Sequence, residues 1–105
     1  MICKRSEPKA TLLDLVATAI EAGASEMEVE YKDGREQVFA VCSGIGVGIA
    51  SLASGSEEAR SLREDLYAIA KKRGVVHISG RAYVLRVQTV ENFGEDTFHV
   101  TIKRS

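Results

Sequence analysis

The sequence contains no tryptophan, one proline and two cysteines, and aromatic residues fill only 6% of its 105 positions. So few aromatic side chains argue against a platform on which nucleic-acid bases stack. The formal net charge is −1, so the overall field favours neither nucleic acid nor an anionic membrane surface. Cys3 and Cys42 form no Cys-x-x-Cys pair, and we expect both to be reduced thiols in a cytoplasmic protein.

Long apolar runs are also missing. No stretch approaches the length of a membrane span, and the charged N-terminus is not followed by the apolar region of a secretory signal. The 105 residues are 45% hydrophobic and 28% charged, as in a small globular protein. We therefore predict one soluble domain over residues 1–105, with residues 1–9 frayed or extended.

Two segments have the apolar periodicity of amphipathic helices. The first runs from Thr11 to Ala22, with Gly23 as its stop. The second starts at the capping residue Ser56 and ends at Gly74 after a basic last turn. These helices and the strands described next are expected to share one core: Leu12, Val16, Ile20, Val29, Val38, Leu62, Leu66, Ile69, Leu85, Val87, Phe98 and Val100.

The remaining patterns indicate strands. Residues 26–31 alternate between glutamates and apolar side chains, and Asp33-Gly34 predicts a tight turn into an antiparallel strand over 37–42. Three strands follow the second helix: 75–78, 81–90 and 97–103, the first two joined by a Ser79-Gly80 turn. The sequence therefore predicts a two-layer α+β fold with an antiparallel sheet, two helices and the order α-β-β-α-β-β-β.

The second predicted strand is apolar on both faces, since Phe39 and Val41 alternate with other apolar residues. Residues 43–56 follow it, rich in glycine and serine, and we interpret them as an unusually apolar loop. The loop and the second face are predicted to bind a protein partner through Phe39, Val41, Ile45, Val47, Ile49 and Leu52. The alternative is that the first helix or the loop covers this face within the monomer.

Glycines 44, 46 and 48 follow a strand, as in loops that bind nucleotides. A dinucleotide fingerprint needs a further glycine where Ile49 stands, and a phosphate loop needs Gly-Lys-Ser/Thr, which the chain lacks. We predict neither tight nucleotide binding nor nucleotide hydrolysis.

His77 and His99 have the same strand parity and are expected on the outer face of the sheet, where glutamates 26, 28 and 30 also lie. No further ligand joins the histidines at metal-binding spacing, and no nucleophile–base pair is evident. We predict no metal, cofactor or catalytic site. The glutamates are expected to be solvated or to pair across strands with Arg35, Arg86 or Lys103.

The segment Gly-Ala-Ser-Glu-Met-Glu-Val-Glu at 23–30 resembles part of the ATPases of type II secretion and type IV pilus systems. In those proteins a helix leads into Gly-Ala-Ser-Asp-Ile-His-Ile-Glu, in the domain before the motor domain. Segments 38–44, 85–89, 94–95 and 98–104 resemble later parts of that domain. Two arginines of the family's strand, however, appear as Phe39 and Val41, and its aspartate as Ser43.

The resemblance covers roughly residues 11–105, and the Walker motifs belong to the motor domain, which has no counterpart in this sequence. It implies a PAS-like α+β module that packs against other domains or subunits and has no ATPase activity. Two functions then fit the sequence. One is a non-catalytic interaction or self-association module, linked to a secretion or pilus assembly, that binds a protein or a second copy but neither nucleic acid nor membrane. The other is a small-ligand sensor whose 44–56 loop closes over a pocket beside the second helix.

Overall fold

The computed structural model describes residues 10–71, 73–92 and 95–105. Along the chain the elements are α1 (Ala10–Glu21), β1 (Glu26–Lys32), β2 (Arg35–Cys42), β3 (Ile45–Ala53), α2 (Glu57–Lys71), β4 (Gly74–Ile78), β5 (Arg81–Asn92) and β6 (Glu95–Arg104). Within these ranges the strands form one antiparallel sheet of six, in the order β3-β2-β1-β6-β5-β4. The predicted α+β class is confirmed. The expectation for residues 1–9 lies outside the described residues.

One predicted element is wrong: the supposed loop after β2 contains the strand β3, so the order is α-β-β-β-α-β-β-β. Ser43 and Gly44 have φ values of 52° and 82°, which form the two-residue turn that sends β3 back along β2. The glycines of β3 are tolerated because the strand lies at the sheet edge, with only β2 as a neighbour.

The predicted turns at Asp33-Gly34 and Ser79-Gly80 are confirmed. Asp33 and Gly34 have φ values of 54° and 79°, and Ser79 and Gly80 have 53° and 77°. Two consecutive residues with positive φ give a type I′ turn, whose twist matches that of the strands it joins. Each turn connects neighbouring antiparallel strands, β1 to β2 and β4 to β5.

The end of α1 follows the sequence prediction closely. Gly23 has φ +84°, its N–H donates to the carbonyl of Ile20 at 2.9 Å, and the N–H of Ala24 donates to the carbonyl of Ala19 at 2.9 Å. These two bonds form a Schellman motif, which satisfies carbonyls at the helix end. The helix itself begins at Ala10, one residue before the predicted Thr11.

The start of α2 is confirmed and its end is not. The Ser56 hydroxyl accepts a hydrogen bond from the Ala59 N–H at 3.1 Å, which is an N-cap interaction. The helix ends at Lys71, and Gly74 is the first residue of β4 rather than a helix stop. The space there is tight, since a Cβ atom at Gly74 would lie 3.0 Å from a side-chain carbon of Ile69, which would have to shift by a few tenths of an ångström.

Both helices pack on one side of the sheet, called here the helix side; the other side is called the open face. The predicted core residues are buried, except that Ile20 and Ile69 are partly buried and pack against the core. Neither described helix packs on the open face. Neither of them combines the length and the apolar character that crossing a membrane requires.

Candidate functional site

The pleat of β2 places Phe39 and Val41 on the open face, because their neighbours Val38 and Ala40 are buried in the core. Both side chains are half-buried. The first helix does not cover them, since α1 packs on the helix side. What surrounds them is therefore the neighbouring strands of the sheet.

Ile45 and Val47, also predicted to bind a partner, lie on the helix side instead. Ile45 is directly opposite Cys42 in the register and Val47 is opposite Ala40, a core residue. Opposite residues in an antiparallel pair share a face. Ile45 is 67% exposed and Val47 is 51% exposed, so the helices leave the first half of β3 uncovered.

The last two predicted residues, Ile49 and Leu52, are partly buried and pack against the core. Ile49 lies at a β-bulge, between the register pairs Phe39–Gly48 and Val38–Ala50. The predicted partner-binding residues therefore do not form one patch. The two in β2, Phe39 and Val41, lie on the open face, whereas the four in β3 lie on the helix side.

The Phe39 side chain lies next to two glycines of β3, Gly46 and Gly48. A Cβ atom added to Gly46 would lie 3.7 Å from the Phe39 Cβ atom, and one added to Gly48 would lie 3.9 Å from its Cε1 atom. The ring therefore lies alongside the bare backbone of the edge strand, which half-buries it without a helix. The second apolar face of β2 is covered in part by β3 itself.

The edge formed by β3 lacks most of the usual protection against pairing with another strand. Its nine residues include no charged residue and no proline, and only the bulge at Ile49 interrupts it. The opposite edge strand, β4, has only five residues. Short edge strands resist pairing, whereas long uncharged ones promote it. The β3 edge is thus the more prone of the two to pair with another strand.

A charged side chain covers only the second half of β3. The Arg35 guanidinium donates to the Ser51 hydroxyl at 2.6 Å and to the Ser51 carbonyl at 3.0 Å. Before the bulge, residues 45–48 have no such cover in the hydrogen bonds of the described chain. The bare part of the edge is therefore its first half.

A second site, which the sequence analysis missed, surrounds the buried carboxylate of Glu36. This side chain is 4% exposed, accepts a hydrogen bond from the Ser54 hydroxyl at 3.0 Å, and pairs with Arg63 at 2.9 Å. Arg63 also donates to the Ser54 carbonyl at 3.2 Å. The three groups join β2, α2 and the turn before α2 in one polar network.

This network borders a cavity of about 440 Å³ on the helix side. Its walls come from β1, β2, α2, β5 and β6, and the lining side chains are Tyr31, Glu36, Arg63, Tyr67, Glu91, Asp96 and Phe98. No residue of β3 lines this cavity, since residues 45–53 are held in the sheet beside β2.

The strand parity of β2 contained a signal for this site. Glu36 occupies the same parity as Val38 and Ala40, which predicts a carboxylate on the core side of the strand. A buried carboxylate requires a partner. Arg63 follows Leu62 directly, at the edge of the buried stripe of α2, where a long basic side chain can reach the core boundary.

Tyr67 lies across the cavity and donates a hydrogen bond from its hydroxyl to the Asp96 carboxylate. This bond, aided by burial, raises the pKa of Tyr67 above its ordinary value of 10.0. The stability from this contact is present below pH 10 and is lost as the pH rises through the raised pKa. We expect Asp96→Asn to lower the titration midpoint of Tyr67 toward 10.0, measured by tyrosinate absorbance.

Comparison with Tyr67→Phe assigns that titration to Tyr67 among the three tyrosines. An absorbance curve that is unchanged in Asp96→Asn would contradict the proposed cause of the raised pKa.

On the open face one histidine meets two glutamates, and the second histidine lies apart from them. His99 lies between Glu26 and Glu28, with nitrogen–oxygen distances of 3.2 Å and 3.3 Å, while exposed His77 lies on the edge strand β4. The described part of the chain contains no group of three or more His, Cys, Asp and Glu side chains arranged to hold a metal ion.

No protein-family model and no curated protein matches the sequence of this chain. Arguments about function therefore start from the geometry of the β3 edge and of the cavity beside Glu36.

Proposed function

We propose that this chain is a non-catalytic protein-interaction module that binds an extended segment of its partner along the free edge of β3. The observation that carries the proposal is the uncharged edge strand of nine residues, bare over residues 45–48. Its outward backbone N–H and C=O groups have no neighbouring strand in the sheet. In this mode of recognition, backbone hydrogen bonds supply affinity and alternate side chains supply specificity.

The side chains beside this edge suit an apolar partner. Ile45 and Val47 are 67% and 51% exposed on the helix side, so an added strand would remove apolar surface from water. On the open face, Gly46 and Gly48 leave the Phe39 ring as the wall next to the added strand. The partner strand is therefore expected to present aliphatic side chains on the helix side and to pass close to glycine on the other.

The resemblance to the domain that precedes the motor of secretion and pilus ATPases supports the same kind of role. In that family the domain packs against other domains or subunits. We propose that this chain acts in the cytoplasm as such a packing module, without nucleotide chemistry of its own. Phe39 and Val41 stand where the family has two arginines, so an apolar contact would take the place of a charged one.

The test introduces a charge at the edge. Val47→Lys is expected to abolish capture of a partner protein from cell extract while leaving the fold intact, because a lysine on an edge strand opposes strand pairing. Val75→Lys is the matched control, since Val75 is 59% exposed on the opposite edge strand, β4. The captured protein is then purified and its binding to the wild type and both variants is measured by calorimetry. Equal binding to all three would overturn the proposal.

A second function is favoured by the cavity beside Glu36. Its 440 Å³ volume falls within the range of small-molecule sites, and it contains charged groups and two tyrosines. A small ligand bound there would raise the melting temperature of the protein. We expect such a rise to disappear in Tyr67→Phe or Asp96→Asn, whereas Val47→Lys would leave it unchanged.

A further inference from the structure

Resting on the proposed function, we infer that the strand added to β3 is β3 of a second copy, so that two sheets join into one across a two-fold axis near Val47. A dimer of this kind has an isologous interface, in which one surface meets itself. The surface must then complement itself in three ways. Free backbone hydrogen-bonding groups must meet, apolar side chains must meet on the same face of the joined sheet, and like charges must stay apart. The first half of β3 meets each of these conditions.

The face condition selects the register. With the axis at Val47, antiparallel pairing sets Val47 opposite Val47 of the second copy, Gly46 opposite Gly48, and Ile45 opposite Ile49. The exposed valines of the helix side then cover each other, and each exposed Ile45 meets an apolar residue. Glycine faces glycine on the open face, where each strand lies beside its own Phe39 ring.

The charge condition selects the same half of the strand. The Arg35 guanidinium is bound over Ser51, so an axis at Ser51 would bring two guanidinium groups together. Like charges placed opposite each other are destabilising. With the axis at Val47 the paired stretch ends at Ile49, and both Arg35 side chains lie outside it. β3 itself contains no charged residue.

The contact is small, because the paired stretch has only about five residues per copy, well below the area of a standard stable interface. We therefore expect a weak, reversible dimer with a dissociation constant in the micromolar range. Any other protein that offers an aliphatic strand would compete for the same edge. Its binding is an outcome of the test below.

The first measurement is sedimentation velocity of the purified wild-type chain over a concentration series into the high micromolar range. We expect monomer and dimer in exchange for the wild type and for Val75→Lys, and monomer alone for Val47→Lys. The lysine at the axis would place two like charges opposite each other. Circular dichroism and thermal melts confirm that both variants are folded.

The second measurement tests the register. Val47→Cys is made in a Cys3→Ser/Cys42→Ser background, where a serine hydroxyl can keep the hydrogen bond that the Cys42 thiol donates to the Ala22 carbonyl. A short bismaleimide is expected to link Val47→Cys into a covalent dimer at least tenfold faster than Val75→Cys in the same background. Equal rates would overturn the register.

The outcomes separate this inference from the proposed function. A wild type that stays monomeric throughout the concentration series overturns the second-copy inference. If that monomer still binds another protein in a manner that Val47→Lys abolishes, the interaction module stands. A dimer that persists in Val47→Lys overturns the inference as well, because it places the contact elsewhere on the chain.

Discussion

Replacing Arg63 by alanine is expected to lower the free energy of unfolding by about 3 kcal/mol, measured by denaturant melts. The Glu36 carboxylate is 4% exposed, and Arg63 supplies its ionic partner at 2.9 Å. Without the guanidinium, the Ser54 hydroxyl is the one donor left to the carboxylate among the described residues, and the carboxylate stays out of water. The Arg63 side chain is 31% exposed, so water partly fills the gap, and the expected loss lies at the low end for a broken buried pair.

A double variant distinguishes the cost of an orphaned charge from the value of the pair. Glu36→Met/Arg63→Met replaces both groups with apolar side chains of similar length, and its stability is expected to return to within about 1 kcal/mol of the wild type. If the double variant is as unstable as Arg63→Ala, the loss comes from packing rather than from the buried carboxylate. Arg60→Ala on the exposed side of α2 is the surface control, with an expected change below about 0.5 kcal/mol.

Local signals predicted most of this fold. Alternation in β1 and the dipeptides Asp33-Gly34 and Ser79-Gly80 each fix a structure within a few residues of chain, and the φ values confirm them. Gly23 marks the end of α1 for a similar local reason. Such turns and helix ends can be predicted from the sequence, because only certain residues adopt the backbone conformation that they require.

The strand β3 was missed although its turn has the same Ser-Gly dipeptide that was recognised at Ser79-Gly80. The glycines that follow Ser43-Gly44 favoured a loop, because glycine weakens an isolated strand. The ring of Phe39 on the neighbouring strand lies alongside these glycines and covers their bare backbone. That compensation is a contact between strands, and a local pattern does not contain it.

The pairing of Glu36 with Arg63 also lies beyond local patterns, since 27 positions separate the two residues. The parity of β2 is a signal that could have placed Glu36 on the core side, but only the crossing of α2 over the sheet decides which cation reaches it. The same limit applies to the partner-binding residues. The sequence grouped them by proximity in the chain, whereas the pleat distributes them over two faces.

Truncating Leu66 to alanine is expected to destabilise the protein by about 2–5 kcal/mol, measured by denaturant melts. Leu66 is fully buried, at 0% exposure, in the stripe by which α2 packs on the sheet. The loss combines the free energy that burial of its methyl groups had contributed with the cost of the cavity left behind. Leu66 lies inside α2, which is capped by Ser56 and continues to Lys71. The helix backbone therefore has little freedom to move into that cavity.

Leu66→Met is the matched control, because it keeps the apolar volume and is expected to cost less than about 1.5 kcal/mol. A loss well under 1 kcal/mol in Leu66→Ala would show that α2 does not pack on the sheet as described. The variant also separates stability from association. Leu66 lies beneath α2 rather than along β3, so the fraction of Leu66→Ala that remains folded should still associate as the wild type does. Val47→Lys should show the reverse, with stability close to that of the wild type and association lost.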